Sequence, residues 1–308
     1  MRWIKAMAAL GVIGCAAVGG FTQEKNLKGE IKIDGSSTVY LITEAVATNF
    51  KKLHPGISIT VGISGTGGGF KKFYNGETDI SDASRAIKSQ EVEMCKKNGI
   101  VFLELQVAWD GLAVVVNKEN TWATKMTAEQ LKKIWHPDTA AKKWSDVDPS
   151  WPDQPIKLFG PGTDSGTFDY FTETINGKER LSRSDYTPSE DDLVLVKGVE
   201  QNKYALGYFG VAYYETHKDK LNVVAVKAKD GDAYVAPSKD TVLKRKYPLS
   251  RPLFIYVKTS SLKRPEVRAF ADYYLRRPEL AENVGYVRMN ALQQAKEYKK
   301  LAAAIAGN

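Results

Sequence analysis

Three stretches of this chain, SSTV at 36–39, SGTGGGF at 64–70 and DSGTF at 164–168, set hydroxyls and small residues directly ahead of helical sequence. A helix N-terminus exposes unpaired backbone N–H groups and the positive end of the helix dipole. Three of them converging on one point would therefore hold a compact oxyanion without a metal. Taken singly, each stretch is explained equally well as a helix cap. Recurrence in strand-turn-helix context favours a shared site. Neither glycine-rich stretch fits a nucleotide or hydrolase motif. SGTGGGF has Phe70 where a dinucleotide fingerprint needs its third glycine, and it lacks the Gly-Lys-Ser/Thr end of a P-loop. DSGTF has Thr163 where a nucleophile elbow needs glycine, with no histidine suitably near. Two charged residues stand beside these stretches. Arg85 follows a strand end and offers a bidentate fork suited to an oxyanion, with a surface salt bridge as its alternative. Asp110, in AWDGL, would supply an acceptor for a protonated oxyanion, with a plain turn aspartate as its alternative.

The elements that must position these residues follow from periodicity. Ile31 and Ile33 mark a strand, and Val39, Ile42, Val46 and Phe50 recur on one helical face. His54, Pro55 and Gly56 end that helix, and Ile57, Ile59, Val61 and Ile63 alternate as a half-buried strand running into SGTGGGF. A second helix is predicted to start near Thr66 with Phe70, Phe73 and Tyr74 inward, then a strand at 79–84 and a helix near 90–97. The β, α, β, α order points to an α/β sheet whose loops face a common side, where ligands bind. The apolar runs 112–116 and 253–257 read as buried strands that cross between two domains. Between them lie a helix opened by Thr127 with Gln130 as a capping box, a Trp- and Pro-rich stretch at 144–155, and a strand at 156–159 before DSGTF. Pro265 opens a long C-terminal helix with Val267, Phe270 and Tyr274 inward.

Composition bounds the function. The 308 residues, 43% hydrophobic, are enough for a large core and suggest two domains. A net charge of +8 is spread along the chain; Arg2 and Lys5 account for two of the charges. Short basic runs such as KRK at 244–246, without interleaved stacking aromatics, argue against nucleic-acid binding. Arg2 and Lys5 precede an uncharged, Ala- and Gly-rich stretch, so residues 1–20 resemble a secretory signal peptide. Cys15 follows Val12, Ile13 and Gly14 as in a weak lipoprotein box; lipidation there and ordinary cleavage near Gly20 are both open. Either way Cys95 would remain alone, and no internal disulfide is expected. His54, His136 and His217 lack zinc-site spacing and are read as surface or boundary residues.

The ordered set DGSSTV, SGTGGGF, DISDASR, WDGLAVVVN, GTDSGTFDYF, LGYFGVAYY and YPLSRPLFIYV resembles the phosphate-binding proteins of bacterial phosphate ABC transporters, the PstS-like group, over about residues 30–295. The resemblance implies a class II periplasmic binding-protein fold: two α/β lobes joined by two crossing strands, here 27–112 plus 256–308 and 113–255. It implies a periplasmic or membrane-tethered monomer that closes on one orthophosphate and delivers it to the permease subunits, with no cofactor, metal or catalysis. Carried over by position, Ser36, Ser37, Thr38, Ser64, Gly65, Thr66, Ser165, Gly166 and Thr167 surround the anion and Arg85 pairs with it. Two departures stand out. Many relatives carry an arginine where this chain has Pro161, and others an acceptor aspartate where it has Arg85. A carboxylate that accepts the phosphate proton would reject fully deprotonated sulfate. Asp110 is expected to take that role, ahead of Asp164 and Asp82. The alternatives are a same-fold receptor for sulfate or molybdate, a secreted phosphatase, which would need a metal cluster or activated nucleophile the sequence lacks, and an adhesion or scaffold protein.

Overall fold

The computed structural model describes residues 27–307 except Asp164 and Glu190. The expected signal segment, with Cys15, and the candidate acceptor Asp164 therefore lie outside the described residues. The first half runs β1 (Gly29–Gly35), α1 (Ser37–Leu53), β2 (Ile57–Ile63), α2 (Gly65–Tyr74), β3 (Ile80–Ala83), α3 (Ser89–Lys97) and the long β4 (Phe102–Asn117). There follow β5 (Lys125–Thr127), α4 (Ala128–Trp135), α5 (Trp144–Val147), β6 (Lys157–Pro161), α6 (Gly166–Asn176), β7 (Thr187–Ser189), α7 (Asp192–Glu200), β8 (Ala205–Gly210) and α8 (Val211–His217). The chain ends through β9 (Leu221–Val223), β10 (Ala225–Lys227), α9 (Lys239–Leu243), β11 (Ser250–Lys258), α10 (Pro265–Arg276), α11 (Glu279–Asn283) and α12 (Ala291–Ala306).

The main sheet has the order β2-β1-β3-β11-β4-β8-β6-β7, with β9 also on β4. β4 is the shared strand. Its first part, from Phe102 to Gly111, pairs with β11, and its second part, from Leu112, pairs with β8 and β9. The two expected crossing runs are thus halves of the strands that join the lobes. The chain passes between lobes just beside them, where Asp110 and Gly111 face Arg251 and Ser250. Phe254 and Ile255 pair with Ala83 and Asp82 of β3, in the first lobe's sheet.

Helices cover both faces. On one face of the first lobe α1 presents Val39, Ile42, Val46 and Phe50, all at most 1% exposed, toward Val267 and Phe270 of α10. Each such side chain contributes about 2 kcal/mol on burial. On the other face Phe70, Phe73 and Cys95 from α2 and α3 pack on Ala83 and Tyr256. In the second lobe Trp135 of α4 and Phe171 of α6 meet Tyr208, with Phe171 stacked on it at 3.9 Å, while Leu195, Val196 and Val199 of α7 close the opposite face. The predicted capping box is present: Thr127 Oγ1 accepts from Gln130 N–H and Gln130 accepts from Thr127 N–H, both at 3.0 Å. His54 departs from expectation. It is 5% exposed at the end of α1, its ring 4.6 Å from that of Phe50, because the helix's buried face runs through to its cap. Among the described residues no helix is long and apolar enough to cross a membrane.

Candidate anion-binding site

β1, β2 and β3 are parallel and in register, so the loops at their C-terminal ends lie side by side: Gly35 is level with Ile63 and with Asp82. Gly35 has φ +151, and a Cβ there would overlap the Asp82 carbonyl, so the approach requires glycine. The chain then turns, with Ser36 N–H donating to the Asp82 carbonyl at 2.9 Å. Ser36 Oγ accepts weakly from Val39 N–H at 3.5 Å as the cap of α1. Ser64 N–H donates to the Gly35 carbonyl, and Thr66 Oγ1 accepts from Ser84 N–H at 3.2 Å. These bonds tie the first two expected cradles and the end of β3 into one rim. Ser64, however, does not cap α2 with its side chain; its hydroxyl donates to Asp34, whose Oδ2 also accepts from Lys72 Nζ at 2.6 Å.

The third cradle arrives from the other lobe. Ser165 Oγ accepts from Thr167 N–H at 3.2 Å, capping α6. Gly166, the first residue of α6, lies so close to α1 that a Cβ would overlap Thr38 Oγ1 and stand 2.5 Å from Thr38 Cα. The N-termini of α1 and α6 therefore meet, with the start of α2 beside them, and two positive dipole ends face one region.

At this junction lies a residue the sequence reading quoted but did not single out. Arg251, at the start of β11, donates from Nη2 to Thr38 Oγ1 at 3.0 Å and to the Gly166 carbonyl at 2.9 Å. Its Nε donates to Asp110 Oδ2 at 3.2 Å, and its guanidinium lies 4.0 Å from the centre of the Tyr170 ring. Asp110 is 1% exposed, and burial pushes its carboxyl above the ordinary value against the opposing charge of Arg251. The expected free acceptor is thus engaged by an arginine. An arginine beside proline in an otherwise apolar strand run was the available signal.

Arg85 differs from expectation as well. Its fork grips Glu91, with Nη1 and Nη2 each 2.8 Å from a carboxylate oxygen, because Glu91 stands in the first turn of α3 and also accepts from Lys88 N–H. It remains near α2, with Nη2 3.9 Å from where a Gly67 Cβ would stand. Asp82 is fully buried on the α1 side of β3, with neither carboxylate oxygen hydrogen-bonded among the described residues. Burial, with a further push from Asp34, raises its carboxyl to about 8 against the nearby Thr43 hydroxyl. Asp169 of α6 is a further carboxylate the sequence reading passed over. It is 7% exposed, pairs with Arg180 at 3.2 Å, and is near enough to Ser37 for that hydroxyl to favour its charged form, although burial raises it overall. Among the described residues no cluster of His, Cys, Asp and Glu is suited to a metal ion.

Two α/β lobes on shared strands, with helix N-termini meeting across the join, are the class II periplasmic binding-protein fold of extracytoplasmic receptors. Comparison with known proteins agrees. Residues 22–278 match the family model described as a PBP superfamily domain. The chain is 47% identical over 287 residues to the protein SphX of Synechocystis sp., covering 92% of this chain and 83% of SphX. It is 42% identical to the phosphate-binding protein PstS of Staphylococcus haemolyticus, covering 90% of this chain and 88% of that protein. A solved structure described as a possible phosphate binding protein from Planctomyces limnophilus superposes with a TM-score of 0.88 at 47% identity, covering 91% of this chain and 100% of that one. An ABC-type phosphate transport receptor from Vibrio cholerae shares the fold at a TM-score of 0.65 and 22% identity, covering 84% of this chain and 100% of that one. The chain belongs to the PstS-like family of phosphate-binding proteins. That family consists of transport receptors and not enzymes, in line with the sequence reading.

Proposed function

We propose that this protein binds inorganic phosphate outside the cytoplasm and hands it to the permease of an ABC transporter, its lobes closing around the anion. The observation that carries the reading is the meeting of the α1 and α6 N-termini at Thr38 and Gly166, one from each lobe. The names of its relatives supply the choice of phosphate. In this reading the expected lobe boundaries, 112/113 and 255/256, move to the join itself, giving lobes of about 27–111 with 252–308 and 112–249, and the strand segments around 110–111 and 250–251 serve as the hinge. Residues 1–20 act as the export signal, with Cys15 as the point of any lipid anchor.

The binding step involves no bond making. Backbone N–H groups at the starts of α1, α2 and α6, with the hydroxyls of Ser36, Ser37, Thr38, Thr66, Ser165 and Thr167 and the open backbone of Ser64, Gly65 and Gly166, replace the water around phosphate, the Ser64 hydroxyl being turned to Asp34. Arg85 contributes attraction from the rim, since its fork is held by Glu91. Discrimination against sulfate requires a carboxylate that accepts the phosphate proton. Asp110 is held by a buried arginine, whereas the arginine on Asp169, Arg180, is largely exposed to water; we assign that role to Asp169, which reaches the lobe junction beside Ser37.

The test is calorimetric titration of the purified protein, stripped of ligand by unfolding and refolding, with phosphate, arsenate, sulfate and molybdate. Phosphate and arsenate are expected to bind and sulfate not to. Preference for sulfate or molybdate would reassign the ligand within the same fold, and absence of binding by every oxyanion would overturn the reading.

A further inference from the structure

Resting on the phosphate reading, one arrangement at the lobe junction has a role of its own. Arg251 comes from neither helix of the cradle; it enters on β11, one of the two strands that join the lobes. Its register partner on the other crossing strand is Asp110, and the two side chains are bonded, so the guanidinium is anchored to the hinge itself. One nitrogen, Nη2, then spans the cleft: it donates to Thr38 Oγ1 in the first lobe and to the Gly166 carbonyl in the second. The ring of Tyr170, on α6, covers the guanidinium face. All of these partners are buried.

The hydrogen-bond polarity has a consequence. An arginine only donates, so Thr38 Oγ1 must accept from it, and the hydroxyl's own proton is left to point elsewhere. An anion at the helix N-termini is the acceptor that direction suits. Ser64 shows the opposite arrangement, its proton being given to Asp34. We infer that Arg251, held by Asp110, is the positioning residue of the site: a latch that joins the two lobes and fixes Thr38 as a donor toward the bound anion. Asp110 thereby acts through Arg251 and does not meet the phosphate. The planar fork and the ring contact are features that lysine lacks, so charge alone does not reproduce the latch.

The experiment is a double-mutant cycle on phosphate binding with Arg251→Lys, Thr38→Val and the pair, together with Asp110→Asn. Calorimetry gives affinity for phosphate and sulfate, stopped-flow tryptophan fluorescence gives the release rate, and small-angle scattering with and without phosphate reads closure. The expected results are a loss of phosphate affinity of about tenfold or more in Arg251→Lys, carried by faster release, and a smaller contraction on adding phosphate. The double variant should be much less than multiplicatively impaired, because both changes break one contact. Asp110→Asn should weaken phosphate while leaving the ratio of phosphate to sulfate affinity within about twofold. Independent, multiplicative effects of Arg251→Lys and Thr38→Val, or parental affinity and closure in Arg251→Lys, would overturn the latch. A collapse of the phosphate-to-sulfate ratio in Asp110→Asn would return Asp110 to direct contact and overturn its assignment here. Should Arg251→Lys fail to fold, Thr38→Val, which leaves the ion pair in place, decides by its release rate: unchanged release would overturn the inference. Failure of the phosphate reading is separately visible as a parent protein that does not bind phosphate.

Discussion

Replacing Asp82 with asparagine should make the protein's stability much less sensitive to pH. The carboxyl is fully buried, neither oxygen has a hydrogen-bond partner among the described residues, and its titration is raised from 3.8 to about 8. The groups facing it are the Thr43 hydroxyl, Asp34 and Tyr274, and burial outweighs the opposing effect of Thr43. The native state therefore keeps a proton that the unfolded chain has already lost over the range between those two values. Stability must fall as pH rises through that window and level off above about 8. Between pH 5 and pH 8.5 this one group is worth about 4 kcal/mol. In Asp82→Asn that slope disappears. The amide it introduces also lacks ready partners and costs about 1–3 kcal/mol at every pH, so the variant should be no more stable than the parent at pH 5 and clearly more stable at pH 8.5. Urea unfolding of ligand-free protein at pH 5, 7 and 8.5 measures the difference. Parallel stability profiles for parent and variant would refute the buried, protonated Asp82, and with it the placement of this residue in the core instead of the anion site.

Gly166→Ala puts a methyl group onto Thr38, and overpacking of about 1–3 kcal/mol is avoided only by keeping the lobes apart. Phosphate affinity should drop about a hundredfold, with the unfolding midpoint of the free protein nearly unchanged; calorimetry and urea melts separate the two. Arg85→Gln should alter phosphate affinity by less than about threefold, more at low salt than at high, since its fork already serves Glu91; a salt-independent loss beyond about tenfold would show direct contact instead. Asp169→Asn should lower the ratio of phosphate to sulfate affinity by about tenfold or more in paired titrations. Phe171→Ala removes a fully buried ring stacked on Tyr208 and should cost about 3–5 kcal/mol in urea unfolding, reading core packing in the second lobe.

Periodicity exposes what is local. The α1 face of Val39, Ile42, Val46 and Phe50 is buried as its spacing requires, and the Thr127 and Gln130 capping box forms between residues three apart. Lobe pairing is non-local: the apolar runs mark the two joining strands but not which residues face each other across them. Arg251 and Asp110 are separated by 141 positions and meet only because the antiparallel register of β11 on β4 sets them opposite one another. The Arg85 pairing is hidden for a different reason. Its partner Glu91 is six residues away, but the pairing depends on α3 beginning at Ser89 and placing that carboxylate back over the turn.

The charge balance of the junction then limits how the anion can be held. Arg251 is neutralised by Asp110, Arg85 by Glu91 and Lys72 by Asp34, so each of these cations near the cradle already has a carboxylate partner. An incoming dianion gains little from unpaired positive charge at these positions. The remaining attraction lies in the oriented N–H groups at the starts of α1, α2 and α6 and in hydroxyl protons directed toward them. Such donors act only at short range and in fixed directions, so binding strength depends on how closely the two lobes approach. This is why a single glycine at position 166, and an arginine that spans the join, carry more of the function than the charge count of the chain suggests.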